Sequence, residues 1–186
     1  MKKTTLFLYF LFLSPSAFAN EHIYSSLQLG KADHDMPRFN NALSSKIKPL
    51  VIGINTAVLY GEEDLKFGYN ANLNFMYDEQ TASNSKTKFN AWSADIGPLI
   101  SYHLTQDLNL YSKVGLSYTS STYKIITINE DTELNGKSLG LTYGLGFNCT
   151  FSTDYFIGLE YKVNTSEFKS IDIDDNSFLF TIGIKM

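Results

Sequence analysis

Cysteine is almost absent from this chain: Cys149 stands alone among 186 residues, so no internal disulfide can staple the fold. Histidine is scarce as well. His22, His34 and His103 are scattered, and no zinc-type ligand spacing results. Proline supplies four residues and tryptophan one. Charge is sparse and mildly acidic, with 15 Lys and Arg against 19 Asp and Glu. That balance excludes the basic stripe of a nucleic-acid-binding surface. Long apolar runs are missing too. Residues 6–13 (LFLYFLFL) fall well short of the ~20 residues that a membrane-spanning helix needs.

That short run has flanks that give it a meaning. Lys2 and Lys3 precede it, and Ser14-Pro15-Ser16 and then Ala17-Phe18-Ala19 follow. A basic start, a short apolar centre and a small-x-small site are the parts of a secretory signal. The expected organisation is a signal peptide over 1–19 and one domain over 20–186. Losing the two lysines would take the formal net charge from −4 to −6.

What the chain has in abundance is aromatics, 12 Tyr and 14 Phe, and they recur with period two. Phe67, Tyr69, Ala71, Leu73, Phe75 and Tyr77 alternate with Gly68, Asn70, Asn72, Asn74 and Met76. A strand turns successive side chains to opposite faces, and no amphipathic helix produces this pattern. The same alternation runs from Trp92 to Leu104, from Leu139 to Phe151, from Tyr155 to Val163 and from Phe178 to Met186. Weaker segments at 23–30, 50–60 and 108–123 bring the expected strands to eight.

The second face identifies the solvent of the first. A soluble sheet carries many Lys, Glu and Thr on its wet face. Here the non-apolar face is rich in Gly, Asn, Ser and Thr, which suits the cramped interior of a narrow barrel. The apolar face is then free to meet lipid. A soluble lipocalin-like barrel is the alternative that alternation alone leaves open. Connector lengths favour the membrane: short joins at 61–64, 105–107 and 152–154 alternate with long ones at 31–47, 78–88, 124–136 and 165–176. Outer-membrane barrels have short periplasmic turns and longer extracellular loops. Tyr60, Tyr102 and Tyr155 lie beside the short turns, and Tyr77, Trp92, Tyr118 and Phe178 lie toward the long loops, as two aromatic girdles would. Pro98 falls inside a strand, where it removes a ladder donor, and a local bulge is expected there.

These residues resemble the OmpX/Ail/PagC/Lom family of small outer-membrane proteins. The likeness is carried by Ile96-Gly97-Pro98, Leu110-Tyr111, the run SLGLTYGLGFNCTF (138–151), IGLEYKVNTSEFKSIDI (157–173) and the ending TIGIKM (181–186). It implies an all-β fold, an eight-stranded antiparallel up-and-down transmembrane β-barrel. It also implies a Gram-negative outer-membrane location, with loops outside and both termini periplasmic. Such barrels usually end in Phe, and their last strand is read by the outer-membrane assembly machinery; Met186 departs from that pattern. Members of the family serve host-cell attachment, complement resistance or envelope maintenance.

Candidate residues fall into three groups. Asp95, Lys113, Glu160, Lys162 and Lys185 have inward parity, and either an ion path or a charge-paired plug would use them. A narrow lumen and the presence of both signs favour the plug. A nucleophile–base pair for lipid A chemistry would have to come from His34 with Asp33, Asp35 and Ser44, or from His103 with Ser101. Neither set lies in a recognisable motif, so no catalytic residue, metal or cofactor is expected. The third group lies on the long loops. Asp172, Asp174 and Asp175, near Glu167 and Lys169, read as a solvated acidic face rather than a cation site. Ile125, Ile126 and Ile128 either offer a strand edge to a partner or pack within their own hairpin. Cys149 has lipid-facing parity.

The expected function is that of a non-enzymatic surface barrel whose loops bind host cells, host extracellular proteins or complement proteins. A structural envelope barrel is the alternative, and a lipid-A-modifying enzyme is a third. Expected partners are outer-membrane lipid and lipopolysaccharide, the assembly machinery through the last strand, and no nucleic acid.

Overall fold

The computed structural model describes residues 21–35, 46–61, 64–82, 85–127, 131–168 and 171–186. The expected signal segment therefore lies outside the described residues. Eight long strands follow one another: β1 (Glu21–Asp35), β2 (Leu50–Tyr60), β3 (Leu65–Ala82), β4 (Ser85–His103), β5 (Leu108–Thr127), β6 (Asp131–Thr150), β7 (Tyr155–Phe168) and β8 (Ile171–Lys185). A two-residue stub, Lys46–Ile47, pairs with His34 and Asp35 just ahead of β2. Each long strand is antiparallel to the next, and β8 returns to pair with β1 from Tyr24↔Lys185 to His34↔Asp175. The sheet is a closed eight-stranded barrel.

Closure follows from the two faces of the pattern. One face is apolar and exposed along every strand: Phe178 is 70% exposed, Leu139 67% and Ile96 63%. The other is polar and buried, with Asn74 at 2% and Ser93 at 0%. That arrangement inverts a water-soluble protein and fits a wall whose solvent is hydrocarbon.

Two expectations need correction. The long joins at 78–88, 124–136 and 165–176 are mostly strand. Pairing continues to Ala82↔Ser85, Ile126↔Asp131 and Phe168↔Ile171, because the β-branched and polar residues there extend the ladder after the apolar band has ended. Nor does Pro98 sit in a bulge. The β4–β5 ladder breaks between Ile96↔Leu116 and Leu99↔Lys113 and resumes in the same register, so no residue is inserted. Instead the strands approach closely. A Cβ on Gly97 would stand 2.0 Å from the Val114 carbonyl oxygen, and one on Gly115 would stand 2.4 Å from that of Ile96. Glycine on both strands lets the backbones absorb the missing donor.

The two ends of the barrel differ. At one end, tight turns join β2 to β3, β4 to β5 and β6 to β7. At the other, β3, β4, β5 and β6 continue past their neighbours as a four-stranded flap. β2 pairs with β3 only up to Leu50↔Tyr77, and β7 with β6 only up to Ser166↔Gly140.

Candidate functional site: the sealed lumen and the staggered rim

Inward parity brings three layers of side chains into the lumen. The middle layer is ionic. Lys162, on β7, donates its Nζ hydrogen to Asp95 Oδ2 on β4. Asn74 Nδ2 donates to the same carboxylate at 3.3 Å and to Ser93 Oγ at 3.2 Å. One residue pair deeper, Lys113 Nζ faces Glu160 Oε1 at 2.7 Å. The Tyr111 hydroxyl donates to Glu160 Oε2 at 2.8 Å, and Gln28 Nε2 approaches it at 3.4 Å. Gly146 makes room for that contact, since the Tyr111 ring lies 2.5 Å from where a Cβ would stand. All four charged residues are 5% exposed or less. A buried ion is tolerated when it is paired: all four have an opposite charge, and Asp95, Lys162 and Glu160 are hydrogen-bonded as well, whereas Lys113 is held by its ion pair alone.

Apolar layers close the ionic one from both sides. Toward the flap end, Ala32, Ile47, Val51, Met76, Phe89, Ala91, Tyr123 and Leu179 form one cluster. Toward the turn end, Tyr24, Ala57, Leu59, Leu99 and Phe156 form a second, with Tyr24 and Phe156 edge to face at 5.8 Å. A void of about 30 Å³ lies against this second cluster, lined by its apolar side chains together with Ser26, Asn70, Ser101, Asn109 and Lys113. It is sized for about one water. The lumen is thus a layered plug rather than the uniformly small and polar interior that the alternating residues suggest.

His34 is the largest departure from expectation. It is an inward residue of β1, 3% exposed, and not a solvated loop histidine. Its Nδ1 contacts Asp175 Oδ1 and its Nε2 contacts the Tyr123 hydroxyl. An ionised carboxylate can only accept, so Nδ1 carries the hydrogen donated to Asp175. The ring packs on Phe89 with centroids 4.6 Å apart, and Phe89 on Tyr123 at 5.0 Å. Asp175 is consequently no part of a solvated acidic face. It is 2% exposed, since a charge with inward parity beside His34 finds its partner inside. Asp174, with the opposite parity, is exposed. Asp33 reaches outward to Lys48 at 3.7 Å. The side chains of Asp35 and Asp172, and all of Ser44, lie outside the described residues.

The other candidates separate similarly. Lys185 is inward but stands at the turn-end mouth, apart from the ionic layer. Ser101 Oγ donates to Asn109 Oδ1 at 2.7 Å, while His103 Nδ1 is 3.4 Å from the Asp64 carbonyl oxygen, so the two form no nucleophile–base pair. Ile125 and Ile126 are half-buried on β5, paired to Thr87 and Lys86 on one side and to Thr132 and Asp131 on the other. They lie inside the flap, not on an edge, because two neighbouring strands rise as far as theirs. Ile128 lies outside the described residues. Among the described residues, no group of His, Cys, Asp and Glu could hold a metal. Cys149 is exposed on the outer wall.

The sequence did not mark Tyr123 and Phe89 as functional. Their signal was parity, an aromatic on the inward face beyond the expected rim.

A closed eight-stranded wall, apolar outside and filled within, defines a membrane-spanning β-barrel. The family described as outer membrane protein beta-barrel domain matches residues 5–185, and the chain belongs to that family. Its location is accordingly the Gram-negative outer membrane. The fold is similar to Ail, the attachment invasion locus protein of Yersinia pestis, with 15% identity, a TM-score of 0.59 and coverage of 88% of this chain and 98% of that one. It is also similar to Neisserial surface protein A (13% identity, TM-score 0.61, coverage 89% and 97%) and to OprG from Pseudomonas aeruginosa (12% identity, TM-score 0.57, coverage 91% and 97%). At such identities the likeness speaks to the fold. No curated protein sequence matches the chain.

Proposed function

We propose that this barrel is a non-enzymatic surface protein that uses its flap to attach to host cells or host proteins, or to blunt complement. In this reading the flap faces outward, the tight turns and both termini face the periplasm, and lipopolysaccharide surrounds the outer rim. The supporting observation is the stagger of that rim. Residues 131–139 of β6 pair with β5 alone among the described residues, which leaves a row of N–H and C=O groups along about 30 Å of edge. An extended segment of a partner adds to such an edge through main-chain hydrogen bonds. Ail, a barrel of the same fold, is by name an attachment protein. The alternative chemistry of a lipid A enzyme finds no support: His34 is sealed under Phe89 and Tyr123, and among the described residues His103 has no nucleophile paired with it.

The test trims the flap without touching the lumen. Replacing residues 80–87 and 125–132 with Asn-Gly turns leaves the rung Glu79–Lys88–Lys124–Glu133 intact and removes Ile125, Ile126 and Ile128. Wild type and trimmed forms are displayed at equal density on a non-adherent Gram-negative host. Attachment to cultured cells, or serum survival, should accompany the wild type and fall with trimming. Equal activity of both forms would remove the flap tip as the site and confine any contact to the edge at 133–139. Absence of activity in the wild type would leave the structural envelope barrel.

A further inference from the structure

Two lysines and two histidines converge at the turn-end mouth of the lumen. His22, Lys66, His103 and Lys185 come from β1, β3, β4 and β8, each at or next to the last inward position of its strand. Lys185 lies opposite Tyr24, the next inward residue to His22, and Lys66 lies opposite Ser101, the next inward residue to His103. Burial and then the charges of the two lysines hold both imidazoles below their ordinary range, so they are neutral N–H donors at neutral pH. Lys66 is 8% exposed, and no carboxylate pairs with it among the described residues.

The remaining inward positions at this level bring no acid. They are Leu59 on β2, Asn109 on β5, Thr150 on β6 and Phe156 on β7. Among the described residues the carboxylates of the lumen are committed elsewhere, Asp95 to Lys162, Glu160 to Lys113 and Asp175 to His34. Asp64, Asp107 and Asp154 sit in the turns and are exposed, and Asp64 is the acid whose charge His103 feels. Unopposed like charges that face one another raise the energy of the folded barrel unless an anion joins them. Lys113, further up the lumen, has such a partner; among the described residues this ring has no acidic side chain of its own.

We propose that the turn-end mouth is an oxyanion site that takes a phosphate group, held by Lys66 and Lys185 with His22 and His103 completing the ring. Ammonium groups supply the point charges and the imidazole N–H groups direct donors. The Tyr24–Phe156 layer and Leu59 and Leu99 form its floor, so the anion binds at the mouth and does not pass through. In the orientation proposed above the site opens to the periplasm, but the binding test does not depend on that orientation.

The test uses the full barrel in zwitterionic lipid nanodiscs, with His22 and His103 ring resonances as reporters and inorganic phosphate as titrant. Saturable shifts at both histidines should appear, and Lys66→Gln/Lys185→Gln should weaken binding by about tenfold or more. Lys86→Gln/Lys88→Gln, on the flap, should leave it unchanged. A second arm omits phosphate and places phosphatidylglycerol in the disc. Shifts in the first arm assign a free phosphate, and shifts confined to the second assign a lipid headgroup at the same ring. Silence in both arms, or equal binding by the Lys66→Gln/Lys185→Gln variant with its heat-resistant migration on gels intact, overturns the proposal.

Discussion

Strand β6 is built two ways along one chain. From Leu141 to Phe147 its outer face is Leu141, Tyr143, Leu145 and Phe147, all exposed and apolar. Between 131 and 138 the exposed residues are Asp131, Thr132, Glu133, Asn135 and Lys137. The lower half has strand partners on both sides; the upper half has β5 alone. Backbone groups in hydrocarbon must all be paired, whereas those in water need not be. A lipid-buried strand therefore cannot spare an edge, and the flap can. The charges follow the same division. In the lumen Lys162 and Asp95 are each 2% exposed at the side chain. On the flap Lys86 and Glu79, 2.6 Å apart, are 37% and 32% exposed.

The largest test of this contrast breaks the buried pair. Lys162→Met leaves Asp95 charged in a dry lumen and should cost about 3–5 kcal/mol. The double variant Asp95→Leu/Lys162→Met should recover most of it. Urea midpoints of refolding into lipid vesicles measure both, and an unchanged midpoint for the single variant would show that the pair is not sealed. Next comes the outer wall. Leu141→Arg places a guanidinium in the apolar band and should cost about 2–4 kcal/mol, while Thr132→Arg on the same strand should stay within ~0.5 kcal/mol. Equal costs would mean that the flap is as lipid-buried as the wall.

The smallest effect belongs to Glu79. Its hydrogen bond from Lys86 holds the carboxyl below its ordinary value of 4.5, opposed by desolvation. A carboxyl depressed in the folded state stabilises above its unfolded value, and that contribution is lost as pH falls through the lowered one. Amide protection across the flap should therefore weaken only on strong acidification, and Glu79→Gln should abolish that acid-side loss. Protection that fades at neutral pH would disprove the assignment.

Much of the wall was legible because period two survives in one dimension. The run from Phe67 to Tyr77 states its own faces, and Asp95, Glu160 and Lys162 could be placed inside by counting. Counting could not pair them. Lys162 meets Asp95 across the lumen at a sequence separation of 67, and His34 meets Asp175 at 141. His34 and Asp175 looked solvated because local composition, two histidine-flanking acids and an acidic run, resembles a loop. Whether Ile125 and Ile126 offer an edge or pack within their hairpin could not be read locally, because the heights of β4 and β6 are properties of three strands at once.

By itself, then, the sequence determined the eight strands of the wall, its lipid-facing side and the inward parity of Asp95, Lys113, Glu160 and Lys162, since each follows from alternation within a strand. The tertiary structure decided which charges neutralise one another and which two lysines and two histidines are left facing at the mouth. It also decided that His34 is sealed and that β6, rather than β5, carries the open edge. Those outcomes depend on barrel register and strand stagger, which hydrogen bonding between strands sets and no single segment encodes.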